Sequence, residues 1–295
     1  MVVGGRRAET LTVVNPHDES IVGTVVAAGK DDVDAAVTAA REAFDTGPWP
    51  RLDPAERIAA VRRLVEAYAP RRKEISALIT AEMGAPASFA KFAQATLPMY
   101  LMNAFADIAE TISWEERRAG AFGGELLVRR EPVGVVAAII PWNMPQFLLV
   151  GKLAPALLAG CPIIIKPAAE TPLDALLLAE LVDEIGLPPG VVTVLPGGRD
   201  VGQLLVEHPS VDKVSFTGST AAGRMIAASC GANLKRVSLE LGGKSAAVVL
   251  DDADPTVVAD GVKIAGLMNS GQACVAQTRV LVPESRKDEY VDAIA

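Results

Sequence analysis

Cys274 is the side chain that most invites chemistry. It lies in GLMNSGQACVAQTR, residues 266–279, among small and amide residues and with no histidine near it in sequence. A thiolate is a strong nucleophile, but a free thiol is only a few per cent ionised at neutral pH, so it needs activation or a nearby base. Taken alone, such a cysteine reads more readily as a small buried hydrophobe, and Cys161 and Cys230 carry only that reading. Glu240, in LELGGKS, is flanked by Leu239 and Leu241. Burying a carboxylate there without purpose would be costly. Asn143, in PWNMP, is either a turn residue beside two prolines or an amide donor. Lys152 lies in a stretch of helical pattern and either extends its ammonium to solvent or serves a site. The two histidines, His17 and His208, lie in no recognisable site segment, which disfavours a Cys–His hydrolase.

A phosphate site is the second chemical possibility. FTGSTAAGR puts Gly218 and Gly223 in a G-x-x-x-x-G frame after a run of strand character. A triphosphate-binding loop would continue with Lys and then Ser or Thr. Here Arg224 and Met225 follow, so the hydroxyl that would ligate magnesium is missing. A glycine turn opening a helix still offers free N–H groups and partial positive charge to a phosphate. Ser219 and Thr220 would add hydroxyl donors there, or only cap the helix.

These residues need a scaffold to bring them together. From residue 133 the short apolar runs VGVVAAII, CPIIIKP, GVVTVLPG, VDKVSFTG and RVSLELGG alternate with helical stretches over 144–159, 171–185, 199–207 and 220–230. Unbroken apolar strands belong to a parallel sheet covered by helices on both faces. The expectation is an α/β fold with a doubly wound parallel sheet. Ligands of such sheets bind outside the carboxyl ends of the strands, so PWNMP, KPAAETP, LPGG, FTGST and LELGG should converge on one crevice.

Upstream, the first third reads as helical. Residues 31–44 form one helix, and DPAERIAAVRRLVEAYA starts another, with Asp53 as N-cap, Pro54 at the first position and Glu56 completing a capping box. A further helix is expected near 71–83, ending at Gly84, and a long one near 88–113. GELLVRREPVG reads as a strand ending at a proline turn. SAAVVLDDAD, a helix over 255–268 and the strand TRVLVP begin something new.

Bulk properties narrow the partners. Of 295 residues, 50% are apolar and 22% charged, as in a globular soluble chain. The net charge of −8 disfavours a nucleic-acid partner, which usually needs a basic face. Three cysteines without CxxC spacing support neither a disulfide framework nor a zinc site, and fit a reducing, cytoplasmic compartment. MVVGGRRAETLTVV lacks the apolar core of a signal peptide, and no apolar run reaches the roughly 18 residues of a membrane span.

Taken in order, PWNMP (141–145), KPAAETP (166–172), FTGST (216–220), LELGGKS (239–245) and NSGQACVAQTR (269–279) resemble the aldehyde dehydrogenase superfamily. The resemblance covers nearly the whole chain, and LELGGKS and GQxC are its most specific parts. It implies a Rossmann-like dinucleotide-binding domain over 1–242, with 114–132 as a hairpin insert for oligomerisation. Residues 243–295 would be the incomplete start of a second α/β catalytic domain. The implied reaction oxidises an aldehyde to a carboxylic acid with NAD(P)+. Cys274 would be the nucleophile, forming a thiohemiacetal and then a thioester. Glu240, 34 positions earlier, would activate the hydrolytic water. Asn143 and the backbone N–H of Cys274 would hold the oxyanion, one such donor being worth roughly 3 kcal/mol. Lys152 would assist proton movement around Glu240. Lys166 would lie by the adenosine ribose, Trp142 and Gly198 along the groove and Ser219 at the pyrophosphate. Gly218, Leu241 and Ile140 complete the implied cofactor contacts, and no metal is implied.

The sequence departs from that family in two places. Members that prefer NAD often carry Glu three positions after the lysine, where this chain has Ala169, with Glu170 one place later. A carboxylate there would bind a 2′-hydroxyl and repel a 2′-phosphate. Either Glu170 substitutes, or NADP is tolerated; NAD is the expected cofactor and NADP is admitted. The family's catalytic domain also runs far beyond the cysteine, whereas this sequence ends at Ala295. It reads as a fragment or truncated product, poorly active alone, with exposed apolar surface. The expected partners are an aldehyde and, in the full-length form, further copies of the chain, with no nucleic acid and no membrane. Two other readings stay open: a CoA-acylating aldehyde dehydrogenase, against which Glu240 counts, and a non-catalytic remnant that binds a nucleotide or a partner.

Overall fold

The computed structural model describes residues 9–295. Residues 1–8, part of the N-terminus read above for a leader, lie outside the described residues. The chain opens on an antiparallel hairpin, β1 (Thr10–Val14) and β2 (Ile21–Val26). The helical expectation for the first third overlooked it, although two β-branched runs around Asn15-Pro16 are a hairpin signal. Helix α1 (Lys30–Asp45) follows, and then α2 (Pro54–Met83).

The capping box at Asp53 forms as expected: its carboxylate accepts from the Ala55 N–H, and the Glu56 side chain accepts from the Asp53 N–H. Such a cap is worth about 1 kcal/mol. The helix then runs on through Pro70, so no separate helix begins near 71. An internal proline costs about 3 kcal/mol, and burial of Tyr68, Ile75 and Ile79 in the core offsets it. Gly84, at φ +75°, ends the helix where the sequence placed its stop.

The long helix expected over 88–113 is broken. It consists of α3 (Ala87–Phe89), a π-turn over Ala90–Gln94 and α4 (Thr96–Thr111), with Ala95 at φ −124° between them. The strand read in GELLVRREPVG is β4 (Glu125–Arg129), paired antiparallel with β3 (Glu115–Ala119).

A five-stranded, wholly parallel sheet follows. Its strands are β5 (Val136–Ile139), β6 (Ile163–Lys166), β7 (Val192–Val194), β8 (Lys213–Gly218) and β9 (Arg236–Leu241), in the order β7-β6-β5-β8-β9. Helices α5 (Pro145–Leu158) and α6 (Leu173–Glu184) pack with α2 and α4 on the face that takes Val136 and Ala138. Helices α7 (Arg199–Glu207) and α8 (Thr220–Ala232) lie with α1 on the face that takes Ala137 and Ile139. This is the doubly wound sheet expected from the apolar runs. Successive residues of β5 enter opposite cores, which is why its sequence shows no polar alternation. Strand order reverses between β5 and β8, so the crevice of such sheets opens at their carboxyl ends.

Beyond β9, β10 (Ala246–Val248) and β11 (Arg279–Leu281) form a separate parallel pair, with α9 (Pro255–Leu267) and α10 (Lys287–Ile294) beside it. No helix among the described residues is long and apolar enough to cross a membrane.

Candidate active site

A cleft of about 460 Å³ lies at that reversal. Pro141, Trp142 and Asn143 line it from the turn after β5, Thr217, Gly218 and Ser219 from the end of β8, and Leu241 and Gly242 from the end of β9. Residues Gly271 to Cys274, in the connection from α9 to β11, complete the lining. The Cys274 thiol is exposed, whereas Cys161 and Cys230 are buried.

The backbone leading to Cys274 is unusual. Asn269, Ser270 and Gly271 lie in succession in the left-handed region, at φ +54°, +59° and +78°. Glycine does this freely and asparagine more readily than most, whereas a residue such as Ser270 pays roughly 1–2 kcal/mol. Asn269 is 2% exposed, and its amide nitrogen donates to the carbonyl oxygens of Asn143 at 2.9 Å and Gln272 at 3.3 Å. Asn143 in turn donates its own amide to the Gln272 carbonyl at 2.9 Å. The Asn143 side chain thus ties its turn to the loop before Cys274, and one of its two amide N–H bonds is left over in the cleft it lines. The Gln94 amide, fully buried, donates to the Asn143 carbonyl at 3.0 Å from the π-turn before α4. π-Turns inside helices recur at functional sites, and this one aims Gln94 at the turn after β5.

Sequence reasoning singled out neither Gln94 nor Asn269. Asn269 carried a signal, since an Asn ahead of Ser-Gly is a left-handed candidate. Gln94 carried none.

Glu240 sits opposite Thr217 on β9, an edge strand, and is exposed. The premise that it is a buried carboxylate is therefore corrected: its leucine neighbours face the α8 side while it faces away, and the edge leaves that side open to water. Lys152 does not extend to solvent. It is half-buried on α5 and donates to the Ser215 hydroxyl at 3.2 Å. Burial pushes its ammonium below the ordinary range, and the Glu240 carboxylate opposes that shift.

The residues expected at the cofactor are partly gathered. Gly218, Ser219, Trp142 and Leu241 line the cleft. Lys166 and Gly198 do not; they lie at the ends of β6 and β7, where the Lys166 ammonium donates to the carbonyls of Pro167 and Gly197, both at 2.7 Å. Burial pushes Lys166 down to about 8, against the charges of Glu170 and Asp200. Gly198 caps α7. Ser219 caps α8, its hydroxyl accepting from the Ala222 N–H. Ile140 is buried in the core, its N–H bonded to the Lys166 carbonyl. Among the described residues, no three His, Cys, Asp or Glu side chains are grouped to hold a metal ion.

The aldehyde dehydrogenase family profile matches residues 3–295. The chain belongs to the aldehyde dehydrogenase family. It is 44% identical over 293 residues to geranial dehydrogenase of Castellaniella defragrans, a match covering 99% of this chain and 61% of that protein. It is 43% identical to a 3-succinoylsemialdehyde-pyridine dehydrogenase of Pseudomonas, covering 97% and 58%. The crystal structure of a Mycobacterium tuberculosis aldehyde dehydrogenase complexed with NAD+ superposes with a TM-score of 0.95 at 48% identity, covering 98% of this chain and 59% of that one. A mutant of aldehyde dehydrogenase C from Pseudomonas syringae, complexed with NAD+ and octanal, gives 0.93 at 38% identity, covering 97% and 58%. This family member thus spans about three fifths of the length of those relatives.

Proposed function

We propose that this chain is the nucleotide-binding and nucleophile-bearing part of a dehydrogenase that oxidises an aldehyde to a carboxylic acid with NAD+, NADP+ being also admitted. The observation that carries the proposal is the meeting of the exposed Cys274 and the amide donor Asn143 in one cleft at the β5–β8 reversal. Membership of the family and the NAD+ complexes of its relatives support the cofactor.

The residues present suit a dinucleotide. The N-terminus of α8 meets the cleft at Ser219, and Thr217 offers a buried hydroxyl with no hydrogen-bond partner among the described residues. Helix N-termini and hydroxyls suit phosphate oxygens; Lys166, buried outside the cleft lining with its ammonium on two carbonyls, would meet a ribose hydroxyl only through its remaining N–H. When bound, NAD(P)+ accepts a hydride.

The chain's own residues would do the rest. The Cys274 thiolate adds to the aldehyde carbon, and the carbonyl π pair moves to oxygen. The free Asn143 N–H and the Cys274 backbone N–H would hold that oxygen. Once hydride has left, a thioester joins Cys274 to the acyl group. Glu240 would take a proton from water, whose oxygen attacks the thioester; the acid leaves and the thiol is restored. Lys152, whose titration feels Glu240, would pass that proton on.

Residues 1–242 would form the dinucleotide-binding domain and 243–295 the start of the catalytic domain. The β3–β4 hairpin within 114–132 would serve oligomerisation. Support for that role comes from exposed Leu126 and Leu127 on β4. A cytoplasmic location belongs to the same proposal.

The first test is a titration of the folded chain with NAD+ and NADP+ separately, followed by tryptophan fluorescence. Trp142 is on the cleft rim, while Trp49 is buried. Saturable quenching by either nucleotide is expected. No binding to a folded chain would sink the proposal.

A further inference from the structure

We infer that Asn269 is a positioning residue, which holds the Asn143 amide where it can meet the oxyanion formed at Cys274; this rests on the aldehyde-oxidation reading above. Three features converge on it. Asn269 is buried, adopts a left-handed backbone that asparagine accepts more readily than most other side chains, and binds both loops that flank the cleft. The left-handed Ser270 beside it is the costlier conformation, of a kind that persists where surrounding contacts over-determine it.

The wiring is specific. The carbonyl of Asn143 accepts from Asn269, which sets the plane of the peptide that carries the Asn143 side chain. The carbonyl of Gln272 accepts from both asparagines, at 3.3 Å from Asn269 and 2.9 Å from Asn143. Asn269 therefore fixes at once the donor and the acceptor of the bond that orients the Asn143 amide. Gln94, on the same Asn143 carbonyl, reinforces one end of this arrangement. Asn269 braces both ends.

Two variants separate the amide from the backbone. Asn269→Gly accepts the left-handed conformation and deletes the side chain. Asn269→Asp keeps the shape but sets a carboxylate against two carbonyl oxygens. Circular dichroism is the check that each variant folds.

The first readout needs no aldehyde. It is hydrogen exchange of the Asn143 side-chain amide by NMR, its signals assigned by their loss in Asn143→Asp. Exchange about tenfold faster in both variants, the loss expected for one ordering hydrogen bond, supports the inference. Unchanged exchange overturns it.

The second readout is protection of Cys274 from iodoacetamide by octanal, which reports the thiohemiacetal. Asn143→Ala should weaken protection by about 10²-fold. Asn269→Gly should weaken it in the same direction, and adding it to Asn143→Ala should cost nothing more. Fully additive losses would mean that Asn269 acts independently of Asn143, and overturn the inference. If Asn143→Ala changes nothing, the oxyanion reading falls and the inference with it. If octanal fails to protect even the unsubstituted chain, the aldehyde reading is what fails, and the exchange rates alone decide whether Asn269 holds Asn143.

Discussion

The side-chain amide of Asn143 reaches the carbonyl oxygen of Gln272 at 2.9 Å, which ties the turn after β5 to the loop two residues before Cys274. The amide of Asn143 and the thiol of Cys274, 131 positions apart in sequence, thereby share one cleft. The chemistry assigned to that cleft, and the packing that supports it, can be tested one residue at a time.

Only Cys274 should react with iodoacetamide in the folded chain. Cys161 and Cys230 are buried, and burial pushes both thiols up. Mass spectrometry should find one modified thiol in native buffer and three in denaturant. Modification of Cys161 before Cys274 would contradict their burial and exposure.

Glu240→Gln should trap the acyl intermediate in a catalytically competent form of the protein. Hydride transfer precedes the step assigned to Glu240, so a burst of reduced nucleotide should survive while steady turnover falls by about 10²-fold or more. Rapid-quench measurement of the thioester decides it; an unchanged steady rate would remove Glu240 from the mechanism.

Ala169→Glu should raise the ratio of NAD+ to NADP+ affinity, by about tenfold, because a carboxylate there repels a 2′-phosphate. Fluorescence titration with each nucleotide measures it. If Glu170 already performs that task, the ratio moves little, and Glu170→Ala should then lower it.

Stability should fall as pH rises from the ordinary carboxylate range towards neutrality. Asp174 is fully buried, and the Glu82 carboxylate accepts from the N–H groups of Leu173 and Asp174 at the start of α6. Burial raises both carboxyls, and the nearby Glu82 charge raises Asp174 further. The folded state thus keeps a proton that the unfolded chain has lost, so the stabilisation is complete below the unfolded value and is lost as pH climbs through the folded one. A carboxyl that is a tenfold weaker acid in the folded chain than in the unfolded one contributes about 1.4 kcal/mol to this loss. Urea unfolding at pH 5 and pH 7.5 should show the slope, and Asp174→Asn should flatten it. An unchanged slope in that variant would assign the effect elsewhere.

Much of the fold was legible because it is written in local pattern. Unbroken runs such as CPIIIKP mark strands covered on both faces, and Asp53, Pro54 and Glu56 mark a helix start that needs only neighbours a few residues away. The misreadings share one cause. A separate helix was expected near 71–83, yet the cost of keeping Pro70 inside α2 is offset by core burial of Tyr68 and Ile75, which no short window contains. The periodic pattern over 88–113 hid the π-turn, because a turn that admits one extra residue keeps the composition of a helix.

The site divides in the same way. Residue type and near-neighbour spacing were enough to reach the parallel sheet and the helix caps, and the resemblance of five motifs taken in order was enough to reach the family and to choose Cys274 as the thiol to examine. They were not enough to show that Glu240 is open to water on an edge strand, that Lys152 turns inward to Ser215, or that Gln94 and Asn269 brace Asn143. Those outcomes depend on which surfaces meet across 49 to 126 positions of chain. Such contacts come from packing and hydrogen-bond satisfaction over the whole domain, and a local pattern does not encode them.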